Sequence, residues 1–265
     1  MKKSLVFLSL LLAILVLDCK RKKEDGPNPQ VEGCLMMLET IDGRLYRRYE
    51  YNEDKSLFRI QQYQTGGEGK LEKRYTFEYD ANGFVKLFRE TNLLPPYQNF
   101  QYEIFNSTQD RAEGIVQSLI QNSGPRFVQS YALQYDDRGN VVQYDWADSY
   151  WRYEYDDRGN VTRWYIKAGS TPEQLTAEYA NYDDKRNLYY YSEGPRLINL
   201  IIGGGTSAQN PGSFKFFGTG GIVAQTGIVT YQYNEKDMPV QASVSIFGPS
   251  GVPATQAYRF EYECL

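Results

Sequence analysis

The sequence predicts an all-β protein, an antiparallel meander of repeated Tyr-Asp hairpins curled into a rolled or barrel-like sheet. Three observations carry that reading. A short aromatic-x-Tyr-Asp/Asn signature recurs along the chain. A cluster of Asp, Asn, Arg and Gly follows most copies before alternation of apolar and polar residues resumes. Two cysteines, Cys34 and Cys264, bracket the whole repetitive region.

The N-terminus is read first. Lys2 and Lys3 precede the apolar run Ser4 to Leu17, which ends at Asp18-Cys19 and a charged stretch. A run of about 14 residues is too short to span a bilayer as a helix and has the form of a signal peptide over 1–18. A cysteine closing such a run resembles the lipobox of bacterial lipoproteins, which implies lipidation at Cys19 and a membrane partner through that lipid. Asp18 stands where a small residue is usual, and a plain secretory signal is the alternative. Residues 19–33, with Lys20 to Lys23, Pro27 and Pro29, form a tether. An envelope location, as an outer-membrane lipoprotein, is expected, with secretion as the alternative.

Residues 34–265 are expected to form one β-domain, long enough to bury a real core. With Cys19 lipidated, Cys34 and Cys264 remain as a pair in a compartment where disulfides persist. Two unrelated buried thiols are the alternative. Joining them brings the first and last strands together and favours a rolled sheet with few free edges.

The repeat copies centre on Tyr51, Tyr79, Tyr135, Tyr155, Tyr182 and Tyr233, and a half copy ends the chain at Tyr262-Glu263-Cys264. In Tyr135-Asp136-Asp137-Arg138-Gly139-Asn140-Val141, Asp136 opens a type I turn through its side chain. Gly139 supplies a left-handed residue, so Tyr135 pairs with Val141. The same geometry pairs Tyr51 with Leu57, Tyr79 with Val85 and Tyr155 with Val161. Lys55 and Arg186 stand where the glycine would be, so those turns are strained or built differently. Successive repeat tyrosines lie roughly 20 to 28 residues apart, or about double that where a copy has decayed, around Tyr102 and in the Gly-rich stretch 194 to 221; each such spacing holds two strands, giving about 14 to 16 strands, too many for a flat open sheet.

The stretches from Tyr135 to Val141 and from Tyr155 to Val161 resemble YD repeats, the units of RHS and teneurin-like shells. The cysteine-terminated signal, Tyr233 to Pro239 and the terminal Tyr262-Glu263-Cys264 are similar to exported lipoproteins of Bacteroidetes. That resemblance implies a curled β-sheet and cell-envelope residence, and no catalytic residues.

Composition excludes several chemistries. The chain has 24 tyrosines, no histidine and a net charge of −4, with charges of both signs dispersed. Nothing in it points to nucleic acid. Without histidine there is no Ser-His or Cys-His nucleophilic machinery and no histidine zinc site. No metal, cofactor or catalytic residue is expected. The paired aspartates Asp136-Asp137, Asp156-Asp157 and Asp183-Asp184 sit at repeated turns, where the backbone needs them. Gly203-Gly204-Gly205 lacks the Lys-Ser/Thr ending of a phosphate loop and reads as an insertion, and Leu197 to Ile202 as a plug or short helix packed into the roll.

The functional expectation is a non-enzymatic envelope protein with a structural or ligand-binding role toward a glycan or surface protein. A carboxylate-dependent glycan-active enzyme is the alternative. All three tryptophans, Trp146, Trp151 and Trp164, fall in one short region rich in tyrosine, which either fills the sheet or binds a ligand. A three-residue loop Ala147-Asp148-Ser149 would pair Trp146 with Tyr150. That register places Arg152 between Tyr144 and Trp164 and makes Tyr144, Trp146, Arg152 and Trp164 the candidate ligand patch.

Overall fold

The computed structural model describes residues 34–264, except 66–68, 96, 107–111, 188, 190–192, 202–205 and 249–250. The expected signal peptide, the tether with Cys19, and Gly203 to Gly205 lie outside the described residues. Sixteen strands, from β1 (Cys34–Ile41) to β16 (Pro253–Cys264), each run antiparallel to the next. β1 then pairs with β16 to close the sheet into a barrel. The closing register runs from Cys34 opposite Cys264 to Ile41 opposite Tyr258, and the two cysteines form a disulfide with Cα atoms 3.9 Å apart. Every strand therefore has two partners, and no edge is left to pair with another chain.

The turns follow the chemistry of the repeat. Between β8 (Gly124–Tyr135) and β9 (Val141–Trp146), the Asp136 amide donates to the Asn140 carbonyl at 3.0 Å and Gly139 N–H donates to the Asp136 carbonyl at 3.0 Å. Asp136 Oδ1 accepts from the amides of Arg138 and Asn140 at 3.0 and 2.8 Å. Gly139 has φ +87°, a conformation a side chain would strain, yet Lys55 holds the equivalent place at +70°. The expected pairs of Tyr51 with Leu57, Tyr79 with Val85, Tyr135 with Val141 and Tyr155 with Val161 are all formed.

A second feature recurs that the spacing did not reveal. The strand leaving each of these turns carries one extra residue at its second position: Phe58, Lys86, Val142 and Thr162, with Val240 after Tyr233. Such a bulge bends the strand and disturbs the ladder. The tyrosine of the following repeat then caps the residue before the bulge. Tyr79 Oη donates to the Leu57 carbonyl at 2.8 Å, Tyr155 to Val141 at 2.9 Å and Tyr262 to Pro239 at 2.7 Å. Tyr182 does the same to Val161, and Tyr51 and Tyr135 reach Met36 and Ala112 at 2.9 and 2.6 Å. Adjacent hairpins are thus stitched together by tyrosine at one end of the barrel, which explains why the repeat needs a phenol and not merely a ring.

The fifth turn differs. Asp183 is not answered by a residue four positions on. Its partner is Asn210, whose amide nitrogen and Nδ2 reach the Asp183 carboxylate at 3.2 and 3.3 Å. The intervening insertion carries helix α1 (Glu193–Ile201), and Leu197, Ile198 and Leu200 join the core with only 3, 6 and 2% exposure. Each such side chain contributes about 1.5–3 kcal/mol on burial. A sixteen-strand barrel is wide enough to leave a lumen. Here α1 acts as the plug expected of Leu197 to Ile202, of which Ile202 lies outside the described residues.

Candidate functional site

The bulges decide which side chains face the lumen. On β9, Val142 is the extra residue, so Val141 faces inward, Gln143 outward, and Tyr144 and Trp146 inward again. On β11 (Val161–Lys167), Thr162 does the same for Trp164. β10 (Ser149–Tyr155) shows no such shift against β9 over its register. Trp151 and Tyr153 turn inward and Arg152 outward.

The expected ligand patch is corrected accordingly. The β9–β10 loop has two residues, Ala147 and Asp148, so Ser149 pairs with Trp146 and Trp151 with Tyr144. Tyr144, Trp146 and Trp164 meet on the inner wall, whereas Arg152 lies on the outer one, opposite Tyr165 and Gln143. The physical reason is the parity change that each bulge introduces, which a regular register cannot anticipate. Arg152 is held by Glu173 through two hydrogen bonds of 2.9 and 2.6 Å and by Glu154 at 2.9 Å. Its guanidinium lies 4.0 Å from the Tyr165 ring centre.

The inner wall thus assembled is a run of aromatic contacts. Tyr131 and Tyr144 stack at 4.7 Å between ring centres, Tyr144 and Trp151 at 5.3 Å, and Trp151 meets Trp146 at 4.6 Å and Trp164 edge-on at 6.4 Å. Trp151 and Tyr153 belong to this wall although the expected register left them out; the two-residue Ala147-Asp148 loop, which sets Trp151 opposite Tyr144, places them. Four polar atoms here are buried without a hydrogen-bond partner: Tyr144 Oη, Trp151 Nε1, Tyr153 Oη and Trp164 Nε1. Tyr144 and Tyr153 are 0 and 2% exposed, and burial pushes both phenols well above their ordinary pKa. All four groups can donate a hydrogen bond, and at neutral pH none carries a charge.

Elsewhere the interior is polar but paired. Lys73 Nζ donates to Glu90 at 2.9 Å, Tyr102 Oη to Glu90 at 3.4 Å, Gln117 to Tyr102 at 3.2 Å and Tyr131 to Gln117 at 2.7 Å. Glu39 is 2% exposed, accepts from Tyr49 Oη at 3.2 Å, lies 3.7 Å from Arg47, and is bonded by Tyr189 of the insertion. Burial raises the Glu39 pKa more than the Arg47 charge and the two phenols lower it. Burial also opposes the Arg47 charge, but Tyr49 and Glu39 beside it outweigh that and keep it cationic.

The outer wall is charged. Arg59 pairs with Glu50 at 3.3 Å, Arg89 with Glu78, and Arg163 and Lys215 with Glu178 at 3.4 and 3.7 Å. These are cross-strand neighbours on the face away from the core.

No protein-family model and no curated protein matches the sequence. Among solved structures, a porin-like protein from Bacteroides uniformis ATCC 8492 is similar, with TM-score 0.53 and 13% identity over 87% of this chain and 97% of that one. A porin-like protein from Bacteroides vulgatus ATCC 8482 has 12% identity over 87% of this chain and 98% of that one, with TM-score 0.42. The first likeness concerns the fold, a closed antiparallel barrel. It corrects the expected kinship with YD-repeat, RHS-like proteins and the exported lipoproteins similar to them. The Tyr-Asp stretches are the turns of a closed sixteen-strand barrel of porin-like form. Asp, Gly and a capping tyrosine are what a bulged hairpin needs in any family, so they report turn geometry and not descent.

Proposed function

We propose that this chain is a non-enzymatic binding protein of the cell envelope, a water-exposed plugged barrel held at the membrane by an N-terminal lipid on Cys19. The observation that carries the reading is the outer wall. A membrane-embedded barrel presents an apolar band about 25 Å tall to lipid and keeps its polar residues inside, and each Arg or Lys turned to the bilayer midplane costs about 2–4 kcal/mol. Here ion pairs cross the outer wall between neighbouring strands, while aromatic side chains and α1 occupy the inside. The porin-like fold thus supports a barrel of envelope type, and the distribution of charge supports one that stands in water.

The non-enzymatic reading is supported by the inward carboxylates. A glycosidase needs two carboxyls roughly 5–9.5 Å apart. Among the described residues Glu39 on β1 and Glu90 on β5 (Val85–Asn92) point inward from strands four spacings apart, about 19 Å along the sheet. Each is neutralised by its own cation.

The test is fractionation. Wild-type protein is expected with the membranes and should take up a fatty-acid analogue that Cys19→Ser does not. A chain whose residues 1–19 are replaced by a cleavable secretory signal should be soluble without detergent. If that chain stays in the membrane, or conducts ions across a planar bilayer, the barrel itself is embedded and the reading fails.

A further inference from the structure

We propose that the inner wall of β9 to β11 binds a neutral sugar ring, with Tyr144, Trp151, Tyr153 and Trp164 as its hydrogen-bond donors and Trp146 at its rim. The inference rests on the reading of the chain as a water-exposed binding barrel and names the ligand class of its interior.

Buried polar groups in folded proteins are nearly always paired, and each unpaired one costs about 1–3 kcal/mol. Among the described residues the other buried side-chain atoms without a partner are Arg59 Nε and Arg74 Nε on the outer wall, whereas inside the barrel Tyr49, Tyr102 and Tyr131 all donate to named acceptors. Four orphaned donors on three consecutive strands, joined by the contacts of Tyr144 with Trp151 and Trp151 with Trp164, are therefore a concentrated demand for acceptor oxygens.

The character of the ligand follows from what surrounds the donors. No charged side chain turns inward from β9 to β13 (Ser213–Phe217) among the described residues, so an ionic ligand would be buried without a counter-charge. Both faces of Tyr144 are covered, by Tyr131 and Trp151, so the half-buried Trp146 supplies the apolar face, and the O–H and N–H groups at the ring edges suit hydroxyl and ring oxygens. A pyranose offers both, with C–H groups on its faces and oxygens at its rim. Trp146 and Trp151 are half-buried beside the Ala147-Asp148 turn, at the end of the barrel opposite the disulfide and the Asp183 turn, so the ring enters from that mouth.

All three tryptophans of the chain lie in this wall, so intrinsic fluorescence reads it directly. The mature protein should be titrated with glucose, N-acetylglucosamine, maltose and cellobiose. A saturable change in emission is expected with at least one. Tyr153→Phe, which removes a hydroxyl with no protein partner, should weaken that binding about tenfold without lowering the melting temperature. Arg152→Ala on the outer wall should leave binding unchanged. Absence of any saturable response overturns the sugar site, as does equal weakening by Arg152→Ala, or a crystal grown with the sugar in which water alone meets the four donors. A soluble, folded protein that binds none of these sugars removes this inference and leaves the barrel reading standing. Retention of the secretory-signal chain in the membrane removes the barrel reading itself.

Discussion

Asn210 completes the turn that Asp183 opens, although 27 residues separate them: its amide and Nδ2 reach the Asp183 carboxylate at 3.2 and 3.3 Å. Asn140 and Asn160 do the same for Asp136 and Asp156 from only four residues away. The insertion that carries α1 is therefore spliced into a turn whose hydrogen bonds survive the splice. Asn210→Ala should lower stability by about 1 kcal/mol, because it removes the Nδ2 donor to Asp183 and to the Lys185 and Arg186 carbonyls, while the carboxylate keeps the backbone N–H of residue 210, Lys185 N–H and Tyr233 Oη. Urea denaturation should show this as a lower midpoint. A midpoint equal to wild type would mean that the two residues are joined only in appearance.

Tyrosine hydroxyls that cap a carbonyl should differ from those that cap nothing. Tyr155→Phe removes the bond to Val141 and should cost about 1 kcal/mol. Tyr144→Phe removes a buried hydroxyl without a partner and should be neutral or stabilising in the unliganded protein. Thermal melts of the two variants side by side decide this, and the order of their midpoints is the prediction.

Lys55 adopts φ +70° at the place where Gly83, Gly139 and Gly159 adopt +84°, +87° and +83°. Lys55→Gly should therefore stabilise the protein, by up to about 1 kcal/mol after the extra chain entropy of glycine is subtracted. Chemical denaturation measures it. A destabilised variant would place a compensating contact on the Lys55 side chain.

Glu39 gives the interior a pH dependence. Burial raises its pKa above the ordinary 4.5, so the folded state holds this proton more tightly than the unfolded chain. Its contribution to stability is complete below pH 4.5 and is lost as pH rises through the folded-state pKa. Glu39→Gln keeps acceptor and donor capacity without the charge. The difference in stability between wild type and this variant should shift in favour of the variant as pH rises from 4 to 8. An unchanged difference would show that Arg47 fully offsets the burial of the carboxylate.

Replacing Cys34 and Cys264 together by serine should destabilise the barrel by up to about 5 kcal/mol, since the bond closes a loop of nearly the whole domain. Melting with and without reductant should show the same loss in wild type and no further change in the double variant. Identical melts of oxidised and reduced wild type would mean that the pairing of β1 with β16 closes the barrel unaided.

Local chemistry alone determined much of this protein. Asp136, Gly139 and Asn140 specify their turn, Tyr135 its partner Val141, and Cys34 and Cys264 the seam, because each depends on residues adjacent in sequence or on the two ends of the domain. Leu197, Ile198 and Leu200 were legible as a buried insertion from their apolar run. Tertiary structure decided what those signals do not encode. The extra residues Val142 and Thr162 leave no compositional mark, yet each changes the parity of its strand, sending Tyr144, Trp146 and Trp164 into the lumen while Arg152 stays on the outer wall. The pairing of Asp183 with Asn210 waits on the insertion folding back on itself. The orphaned donors of Tyr144, Trp151, Tyr153 and Trp164 stand together only because three neighbouring strands turn them to one side of the sheet.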